Sequence, residues 1–409
     1  MKIPMDDATL AWQAKARHLV DTHSDGTALE GAFYTDAGIY EREVAEIYLK
    51  SWLYAGHSSE VPRVGDWFLF EMGGESVIIV RSAEDEISAL LNVCRHRGSK
   101  ICLEARGYSK RLVCRYHAWA YELDGQLRNA AHMNDEFDKT GISLKRVHTE
   151  ILEGMIYVNF AERPASFEPV RAGMQNCLRP YRIDKARVAH RQVYPIRANW
   201  KLSLENYTEC YHCAPAHPEY SRGHSLAKPQ AHRDELLEQV MSRAAECGLS
   251  DESVDRIYLQ AEGFGADYSF ERYAMWRGHV TGSEDGQPVA PLMGGIKDYD
   301  GGTTDFQVGP ITFGLAYCDH IVIYRFTPVS PDTSECDITW LVNGDAEEGR
   351  DYDKAKLTWL WDITTEADKR IIENNAKGVN SRYYQPGPLS IMESHTRQFI
   401  SWYLQTIRP

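Results

Sequence analysis

Long hydrophobic runs are absent from this 409-residue chain. A membrane-spanning helix requires about 18 or more apolar residues in succession, whereas runs such as residues 76–80 and 321–326 have only the length of a strand. The first ten residues contain Asp6 and Asp7 and no apolar segment after a basic patch, so they do not resemble a secretory signal. We therefore expect no membrane partner and a cytoplasmic location.

Positive charge is also in the minority. The chain has 45 Lys and Arg residues against 59 Asp and Glu residues, which gives a formal net charge of −14 with neutral histidines. Such a chain repels phosphate backbones, so we expect no nucleic-acid partner. Its 25% charged and 43% hydrophobic residues are typical of a folded globular protein, and at roughly 150 residues per domain its length predicts two or three domains.

Cysteine occurs nine times, without the even-numbered pattern of a disulfide framework. The nine residues are scattered through a large chain that lacks a secretory signal, which is unusual for a disulfide-bonded protein. We therefore expect reduced thiols or metal ligands.

Hydrophobic periodicity changes along the chain. In the first fifty residues, Tyr40, Val44 and Ile47 recur at helical spacing after Asp36, a residue type that begins helices. From residue 51, short apolar runs alternate with Gly, Asp and Asn, which predicts a small antiparallel β domain ending near residue 160. Its strands are predicted at residues 67–70, 76–80, 89–93, 111–114 and 155–160.

The remainder mixes helices with strands. We predict helices at 231–247, 253–261 and 362–375, the last closed by Gly378, and strands at 311–326 and 337–342. Glycine-rich stretches at 263–265 and 294–302 indicate loops. The predicted organisation is therefore an N-terminal helical segment at 1–50, a β domain at 51–163 and an α+β domain at 164–409.

Two pairs of Cys and His stand close together within the predicted β domain. Cys94 and His96 are followed, after seventeen residues, by Cys114 and His117. Two Cys and two His suit a tetrahedral zinc ion, although common zinc modules pair Cys with Cys and His with His. A Rieske [2Fe–2S] cluster instead takes two thiolates on one iron and two imidazoles on the other. Two matching loops meet that need, so we predict a Rieske cluster, with zinc or chance coincidence as the alternatives.

A second group of metal-binding residue types follows Asn199. On a helix, Glu205, Glu209 and His212 would lie within about 60° of one another, and Pro215 would end that helix. His217 could then turn back to share a metal with His212. Two imidazoles and one carboxylate form the facial triad of non-haem Fe(II) oxygenases, so we predict such a site.

Other interpretations of this segment stay open. Cys210 and Cys213 form a C-x-x-C motif, which is found in redox-active and zinc-binding proteins. The two histidines could be ordinary polar residues at a helix end. Glu205 and Glu209 could form a solvated acidic face, an interpretation that suits Glu205 better than Glu209.

The residues around the first group make the likeness specific. Arg97-Gly98 follows the first pair, and Trp119, Tyr121 and Gly125 follow the second. This segment resembles the Rieske domain of Rieske-type oxygenases, with Ala118 where the family usually has glycine. Together with the second group, nearly the whole chain, from about residue 51 to 403, resembles the α-subunit of Rieske non-haem iron oxygenases.

The resemblance implies an α+β fold and a third iron ligand. An all-β Rieske domain would precede a catalytic domain whose antiparallel sheet surrounds a helix in the helix-grip manner, with the N-terminal segment packed on the catalytic domain. In the family the third ligand is an Asp five residues before a Glu, with a Gly five residues further on, which here gives Asp368, Glu373 and Gly378. Ala376 departs from the usual glutamine, and Glu366 and Asp362 remain alternative ligands.

The resemblance also implies partners and co-substrates. Electrons from NAD(P)H would arrive only indirectly, through a separate flavin- or ferredoxin-type reductase, and O2 would be the co-substrate. Head-to-tail homotrimers would bring the cluster of one subunit to the iron of the next. Glu209 would bridge His117 of the neighbouring subunit to His212, and Asn206 is a further candidate catalytic residue.

The context of Glu209 narrows the expected substrate. Glu-Cys-Tyr-His-Cys at 209–213 and the segment from Tyr384 to Tyr403 resemble the branch that acts on quaternary ammonium compounds such as glycine betaine, stachydrine, carnitine and choline. Aromatic faces hold methylated ammonium groups, and the aromatic residues in segments that could reach the iron are Tyr207, Tyr268, Tyr273, Trp276, Tyr317 and Tyr324. Of these, the candidate substrate-binding residues are Tyr207, Tyr273, Trp276 and Tyr317. The expected reaction is N-demethylation through hydroxylation of an N-methyl group. An aromatic-ring dioxygenase or monooxygenase is the alternative, and an electron-transfer Rieske protein without oxygenase activity is less well supported.

Seven cations surround the cluster motif between residues 95 and 115, against one acid, Glu104. They are Arg95, Arg97, Lys100, Arg106, Lys110, Arg111 and Arg115. They would form a docking face for an acidic electron donor, or they would offset the charge of the cluster or pair with a neighbouring subunit.

Overall fold

The N-terminal segment is helical and packs on the catalytic half of the chain. The computed structural model describes residues 7–224, 226, 228–250 and 267–409, so the predicted helix at 253–261 and the predicted loop at 263–265 lie outside the described residues. Three helices come first, α1 (Asp7–Thr22), α2 (Gly31–Thr35) and α3 (Ala37–Glu46). Asp36 caps α3 as expected, since its carboxylate accepts hydrogen bonds from the backbone amides of Gly38 and Ile39. None of the described helices is long and apolar enough to cross a membrane.

The predicted β domain is confirmed. Its strands are β1 (Leu53–His57), β2 (Asp66–Met72), β3 (Glu75–Ala83), β4 (Glu86–Leu91), β5 (Arg106–Tyr108), β6 (Leu112–Val113), β7 (Ala120–Tyr121), β8 (Leu127–Asn129), β9 (Arg146–Leu152) and β10 (Met155–Asn159). They form an antiparallel sheet in the order β1-β10-β9-β4-β3-β2-β5 and a small sheet in the order β6-β7-β8. The first Cys–His pair follows β4, and the second lies between β6 and β7.

The catalytic half combines one sheet with several helices. Its elements are α4 (Glu168–Leu178), β11 (Arg187–Ile196), α5 (Trp200–Tyr207), α6 (Cys213–Ala216), α7 (Pro218–Gly223), α8 (Gln230–Cys247), β12 (Tyr268–Ala274), β13 (Gly302–Val308), β14 (Thr312–Ala316), β15 (His320–Ser330), β16 (Thr333–Val342), α9 (Lys354–Val379) and α10 (Ser394–Ile407). The strands form an antiparallel sheet in the order β11-β16-β15-β14-β13-β12, and α5 and α9 pack against each other and against this sheet. The predicted strand at 311–326 is therefore two strands joined by a tight turn.

Two predicted helices differ from the structure at their ends. The helix that precedes His212 ends at Tyr207, because the Glu209 carboxylate accepts hydrogen bonds from the backbone amides of Tyr211 and His212 and turns the chain there. Pro215 lies inside the short helix α6 and therefore does not end the helix that precedes His212. Helix α9 begins at residue 354 and runs past Gly378, since one glycine in a long helix costs only about 1 kcal/mol.

Buried ion pairs and hydrogen bonds connect the N-terminal segment, the β domain and the catalytic half. Arg325 donates to Asp337 at 2.6 Å and to the backbone carbonyl of Tyr54 at 2.9 Å, which joins the catalytic sheet to β1. Lys201 on α5 pairs with Glu43 on α3 at 2.6 Å, and both side chains are fully buried. Breaking such a pair costs about 3–5 kcal/mol, so these contacts fix where α5 lies.

Candidate metal centres and active-site cavity

The two Cys–His loops have the same backbone design. The carbonyl of Cys94 accepts a hydrogen bond from the amide of Gly98, and the carbonyl of Cys114 accepts one from the amide of Ala118. Gly98 has φ 79° and Ala118 has φ 54°, both in the left-handed region that favours glycine. This explains in physical terms why glycine is the expected residue at position 118. The loop accepts the alanine methyl group, at the expense of a strained backbone.

The four predicted cluster ligands lie at the tips of these loops. The Nδ1 atoms of His96 and His117 are 3.1 Å apart, and both rings are exposed. Cys94 and Cys114 are buried beneath them, and the Tyr121 hydroxyl lies 3.2 Å from the Cys94 sulfur. The two imidazoles therefore face one point at the surface, and the two thiols lie on the protein side.

The spacing of this quartet fits a two-iron cluster better than one zinc ion. Ligands of a single tetrahedral zinc, at 2.0–2.3 Å from the metal, would lie within about 4.6 Å of one another. Over the described ranges, only His212, His217 and Asp368 bring three or more His, Cys, Asp or Glu ligand atoms within 4.8 Å of one another. The Cys–His quartet is more widely spread, as ligands of two separate irons require.

The second metal centre is compact. The Nε2 atoms of His217 and His212 lie 2.8 and 3.2 Å from the Oδ1 atom of Asp368. The two imidazole rings are nearly perpendicular, at 85°, with centroids 5.2 Å apart. His212 immediately precedes α6, His217 lies between α6 and α7, and Asp368 lies in the middle of α9. Two imidazoles and a carboxylate that converge in this way fit one Fe(II) ion with open positions.

The acids of this centre have strong electrostatic effects. Burial opposes the charged form of His212, but hydrogen bonds to Asp368 and Glu209 raise the pKa of His212 to about 10. Burial likewise opposes ionisation of Asp368, yet its contacts with His212 and His217 hold the pKa of Asp368 below its ordinary value. The carboxylates of Glu209 and Asp368 thus place negative charge around the imidazole of His212, which favours a cation, either a proton or a divalent metal, between the ligand atoms.

Glu209 and Asn206 contact His212 from different sides. The Glu209 Oε1 atom lies 2.6 Å from Nδ1 of His212, the ring nitrogen that faces away from Asp368. The Asn206 Nδ2 atom lies 3.3 Å from Nε2. A carboxylate on the far nitrogen of a metal-binding histidine fixes its tautomer and orientation, and this is the position Glu209 occupies.

An active-site cavity of 550 Å³ opens beside His212, His217 and Asp368. Aromatic side chains form a continuous wall, with ring centroids 5.2 Å apart for Tyr207 and Tyr324 and 5.4 Å apart for Tyr324 and Trp361. Three charged side chains from neighbouring elements also line it, Arg233, Glu271 and Asp305. Glu271 on β12 pairs directly with Asp305 on β13, so two carboxylates stand side by side.

Two of the four predicted substrate-binding residues do not line this cavity. Tyr207 and Tyr273 do. Tyr317 is fully buried behind the wall, where its hydroxyl lies 2.6 Å from Nε2 of His224. Trp276 lies beyond the end of β12, where the Lys228 ammonium lies 4.2 Å from its ring centroid.

Sequence reasoning also missed several lining residues, among them the aromatic Tyr220 and Trp361 and the acidic Glu271 and Asp305. Trp361 precedes Asp368 by seven residues, or two turns of α9, and therefore lies on the same helix face. The seven-residue spacing from Asp368 could therefore have identified Trp361 from the sequence. No comparable pattern identifies Tyr220, which lies in the short helix α7.

Comparison with known proteins agrees with this architecture. Residues 51–147 match the Rieske [2Fe-2S] domain family, and residues 183–408 match the ring hydroxylating alpha subunit (catalytic domain) family. The chain thus belongs to the Rieske non-haem iron oxygenases, in the family of ring-hydroxylating α-subunits, and is an oxidoreductase. The family resemblance and the α+β fold predicted from the sequence are confirmed.

Within this family, the chain is similar to oxygenase subunits of two named monooxygenases. It is 36% identical over 384 residues to the glycine betaine monooxygenase oxygenase subunit of Pseudomonas aeruginosa (strain UCBPP-PA14), covering 92% of this chain and 88% of the relative. It is 34% identical over 380 residues to the carnitine monooxygenase oxygenase subunit of Acinetobacter baumannii (strain ATCC 19606), covering 90% and 89%. The fold matches a crystal structure of the quaternary ammonium Rieske monooxygenase CntA with a TM-score of 0.72 at 21% identity, covering 95% of this chain and 98% of that one.

Proposed function

We propose that this protein is the oxygenase component of a multicomponent monooxygenase that hydroxylates an N-methyl group of a betaine-type quaternary ammonium substrate. The observation that carries the proposal is the cavity beside the iron-binding trio, in which an aromatic wall meets the carboxylates of Glu271 and Asp305. The similarity to glycine betaine and carnitine monooxygenase subunits supports the same substrate class.

The metal ligands and domains form part of this proposal. We assign Cys94, His96, Cys114 and His117 to the cluster within a domain at 51–163, and His212, His217 and Asp368 to the iron within a domain at 164–409. When bound, the cluster supplies single electrons and the iron supplies O2 activation. The wide spacing of the four cluster ligands and the convergence of His212, His217 and Asp368 on one point support this division.

The cavity residues would hold and orient the cation. A methylated ammonium group offers no N–H donor, so it is held by aromatic faces, at about 2 kcal/mol or more per contact when water is excluded. Tyr207, Tyr324 and Trp361 supply such faces next to the iron-binding trio. Glu271 and Asp305 add negative charge to the wall of the same cavity.

The expected reaction is a hydroxylation that is followed by loss of formaldehyde. The substrate N–CH3 group, O2, two electrons and two protons give N–CH2OH and water. The C–N bond of the carbinolamine then breaks, which releases formaldehyde, a proton and the demethylated amine. The electrons would come from NAD(P)H through a separate flavin- or ferredoxin-type reductase.

We also propose a head-to-tail homotrimer in the cytoplasm. The His96 and His117 rings are exposed in the single chain and are therefore available to a neighbouring subunit. Glu209, held at 2.6 Å from His212, would link His117 of the neighbouring subunit to the iron centre. Electrons would then cross between subunits.

An aromatic-ring oxygenase is the second candidate. Its support is a likeness to the benzene 1,2-dioxygenase subunit alpha of Pseudomonas putida, 28% identical over 277 residues, which covers 65% of this chain and 55% of that one. The paired carboxylates of the cavity favour a cationic substrate instead.

A substrate panel tests the proposal. The purified protein, with a reductase and NAD(P)H, is offered glycine betaine, carnitine, stachydrine, choline, benzene and naphthalene. We expect formaldehyde in step with consumption of an amine, and none from the His212→Ala variant. Conversion of the arenes to diols without formaldehyde from any amine would contradict the proposal in favour of the second candidate.

A further inference from the structure

A second cavity lies beside the segment from Glu205 to His212, which also borders the active-site cavity. This rear cavity has a volume of 190 Å³, and its polar lining consists of Glu205, Asn206, Glu209, His212, Asn375, Glu393 and Thr396. Asn206, Glu209 and His212 also line the active-site cavity. A single layer of side chains therefore separates the two spaces.

The volume and the lining of the rear cavity suit water. A water molecule takes up about 30 Å³ of liquid, so the rear cavity has room for about six. Carboxylate and amide groups supply the two to four polar partners that each enclosed water requires. The apolar part of the wall includes Leu202, Ile372 and Ile400.

Glu205 is the acid of the rear cavity that contacts Tyr34. The Tyr34 hydroxyl is 3.0 Å from both of its carboxylate oxygens. Burial raises the pKa of Glu205 to about 8, although the Tyr34 hydrogen bond and the charge of Lys201 oppose this shift. Glu393 adds to the rise, Tyr384 also interacts with Glu205, and Glu209 and His212 line the same cavity. This raised pKa favours the protonated form of Glu205 at neutral pH. The contact with Tyr34 does not fit the interpretation of Glu205 as part of a solvated acidic face.

We propose that Glu205 delivers protons from the rear cavity to the active site during turnover. The inference rests on the proposed monooxygenase reaction, which takes up two protons for each O2. The O–H bond of Glu205 breaks, the proton passes through water held by the rear cavity, and it ends in the water molecule formed from O2. The Glu205 carboxylate is then protonated again from solvent. Glu205 thus acts through water and touches neither substrate nor metal.

If Glu205 had only a structural role, different effects of substitution would be expected. If its carboxylate served only to anchor α2 through Tyr34, removal of the Tyr34 hydroxyl would have the same effect as removal of the acid. The Tyr34→Phe variant keeps the acid and removes the hydrogen bond, whereas Glu205→Gln keeps a hydrogen-bond acceptor and removes the acid. The two variants therefore form a matched pair.

The first measurement needs neither substrate nor metal. Infrared spectra of the full-length metal-free protein are recorded as the pH is raised, and the carbonyl band of a protonated carboxyl group is followed. We expect a band that disappears as the pH rises through about 8 and is missing from Glu205→Gln. In Tyr34→Phe the band should persist to higher pH, because the lost hydrogen bond stabilised the carboxylate.

The second measurement is single turnover of the reduced, iron-loaded enzyme. Because general acid catalysis contributes about 100-fold or more, we expect Glu205→Gln to form product about 100-fold more slowly, with normal iron content and cluster spectrum. The wild-type rate should fall as the pH rises through about 8, and this fall should be lost in Glu205→Gln and displaced to higher pH in Tyr34→Phe.

Three results would overturn the proposal. They are an ionised Glu205 at pH 7, a wild-type rate and pH profile in Glu205→Gln, or equal losses in the two variants. A failure of the proposed function would look different, since no amine would then yield formaldehyde while the infrared titration of Glu205 stayed as expected.

Discussion

The Nε2 atom of His217 lies 2.8 Å from Oδ1 of Asp368, although 151 residues separate them in the chain. Pro218 begins α7 directly after His217, and the packing of α9 against α5 and α7 brings Asp368 to the same point. The trio with His212 is thus assembled by the catalytic half alone, without any residue of the β domain. The two metal centres should therefore be separable by mutation.

Replacing His212 with alanine tests this separation. We expect His212→Ala to lose mononuclear iron and turnover while its Rieske absorption spectrum stays normal, because Cys94, His96, Cys114 and His117 lie in other elements. Metal analysis together with visible absorption or electron paramagnetic resonance measures both outcomes. Loss of the cluster signal in this variant would contradict the independence of the two centres.

Replacing Glu209 with glutamine tests its role beside His212. The carboxylate contacts Nδ1, not the Nε2 atom that faces Asp368, so we expect Glu209→Gln to retain both metals and lose coupled turnover almost completely. Iron content, cluster reduction and formaldehyde per electron consumed are the measurements. If the variant loses its mononuclear iron, Glu209 is a ligand and the assignment of Asp368 is wrong.

The sequence predicts the metal-binding loops well because their information is local. Cys94 and His96, or Cys114 and His117, are held by hydrogen bonds within a few residues, so spacing alone reveals them. The proximity of Glu209 to His212 was also predicted, but on the basis of a continuous helix that ends in fact at Tyr207. Residues that are three positions apart can contact each other both in a helix and in the turn that the structure shows here.

The cavity wall depends on longer-range packing and was predicted less well. Whether Tyr317 or Tyr324 reaches the cavity depends on strand register, which a single sequence does not fix. Tyr324 pairs with Phe313 on β14 and lines the cavity, whereas Tyr317 lies in the turn after β14 and bonds to His224. The burial of Glu205 likewise follows from a contact with Tyr34, 171 residues away.

The equivalent positions 98 and 118 give a matched pair of substitutions. A side chain in the left-handed region costs about 1–2 kcal/mol, so Ala118→Gly should stabilise the β domain by about 1 kcal/mol and Gly98→Ala should destabilise it by a similar amount. A Cβ atom at position 98 would meet nothing within 4 Å, so backbone strain alone is tested there. Thermal unfolding followed through cluster absorbance measures both changes, and shifts of the same sign in the two variants would contradict the explanation.

The ion pair between Asp337 and Arg325 should contribute to stability in a pH-dependent way. Burial would raise the pKa of Asp337, but Arg325 and Arg191 outweigh it and hold the pKa below its ordinary value. The stabilisation is therefore complete above the ordinary pKa of about 3.9 and is lost as the pH falls through the lower folded value. We expect Asp337→Asn to cost about 3–5 kcal/mol at neutral pH, because it leaves Arg325 buried without its ion pair.

Chemical denaturation of Asp337→Asn at several pH values checks this expectation. Asp332→Asn, a change of the same type at an exposed turn between β15 and β16, is the control and should have little effect. The difference between Asp337→Asn and wild type should shrink as the pH is lowered. A loss of stability that is the same at every pH would mean that packing, not charge, is responsible.

The cations around the cluster loops are not equally available to an electron donor. Arg106 pairs with Glu60 at 3.4 Å, Lys100 with Glu71 at 3.3 Å and Arg111 with Glu122 at 3.3 Å. Lys110 and Arg115 are exposed, and neither forms an ion pair with a described residue. Lys110 and Arg115, and not Arg106, therefore form the most informative double variant.

Reversing charge at Lys110 and Arg115 separates donor docking from neutralisation of the cluster. If these cations dock an acidic reductase or ferredoxin, the double change to glutamate should slow cluster reduction by that donor and flatten its salt dependence, since such attraction is screened over roughly 8 Å at physiological ionic strength. Stopped-flow reduction at low and high salt measures both effects, and single turnover of the pre-reduced enzyme should stay normal. Charge reversal at Arg111, which is already paired with Glu122, is the matched control. Unchanged reduction at low salt, or an equal loss in the control, would leave charge neutralisation at the cluster as the role of these residues.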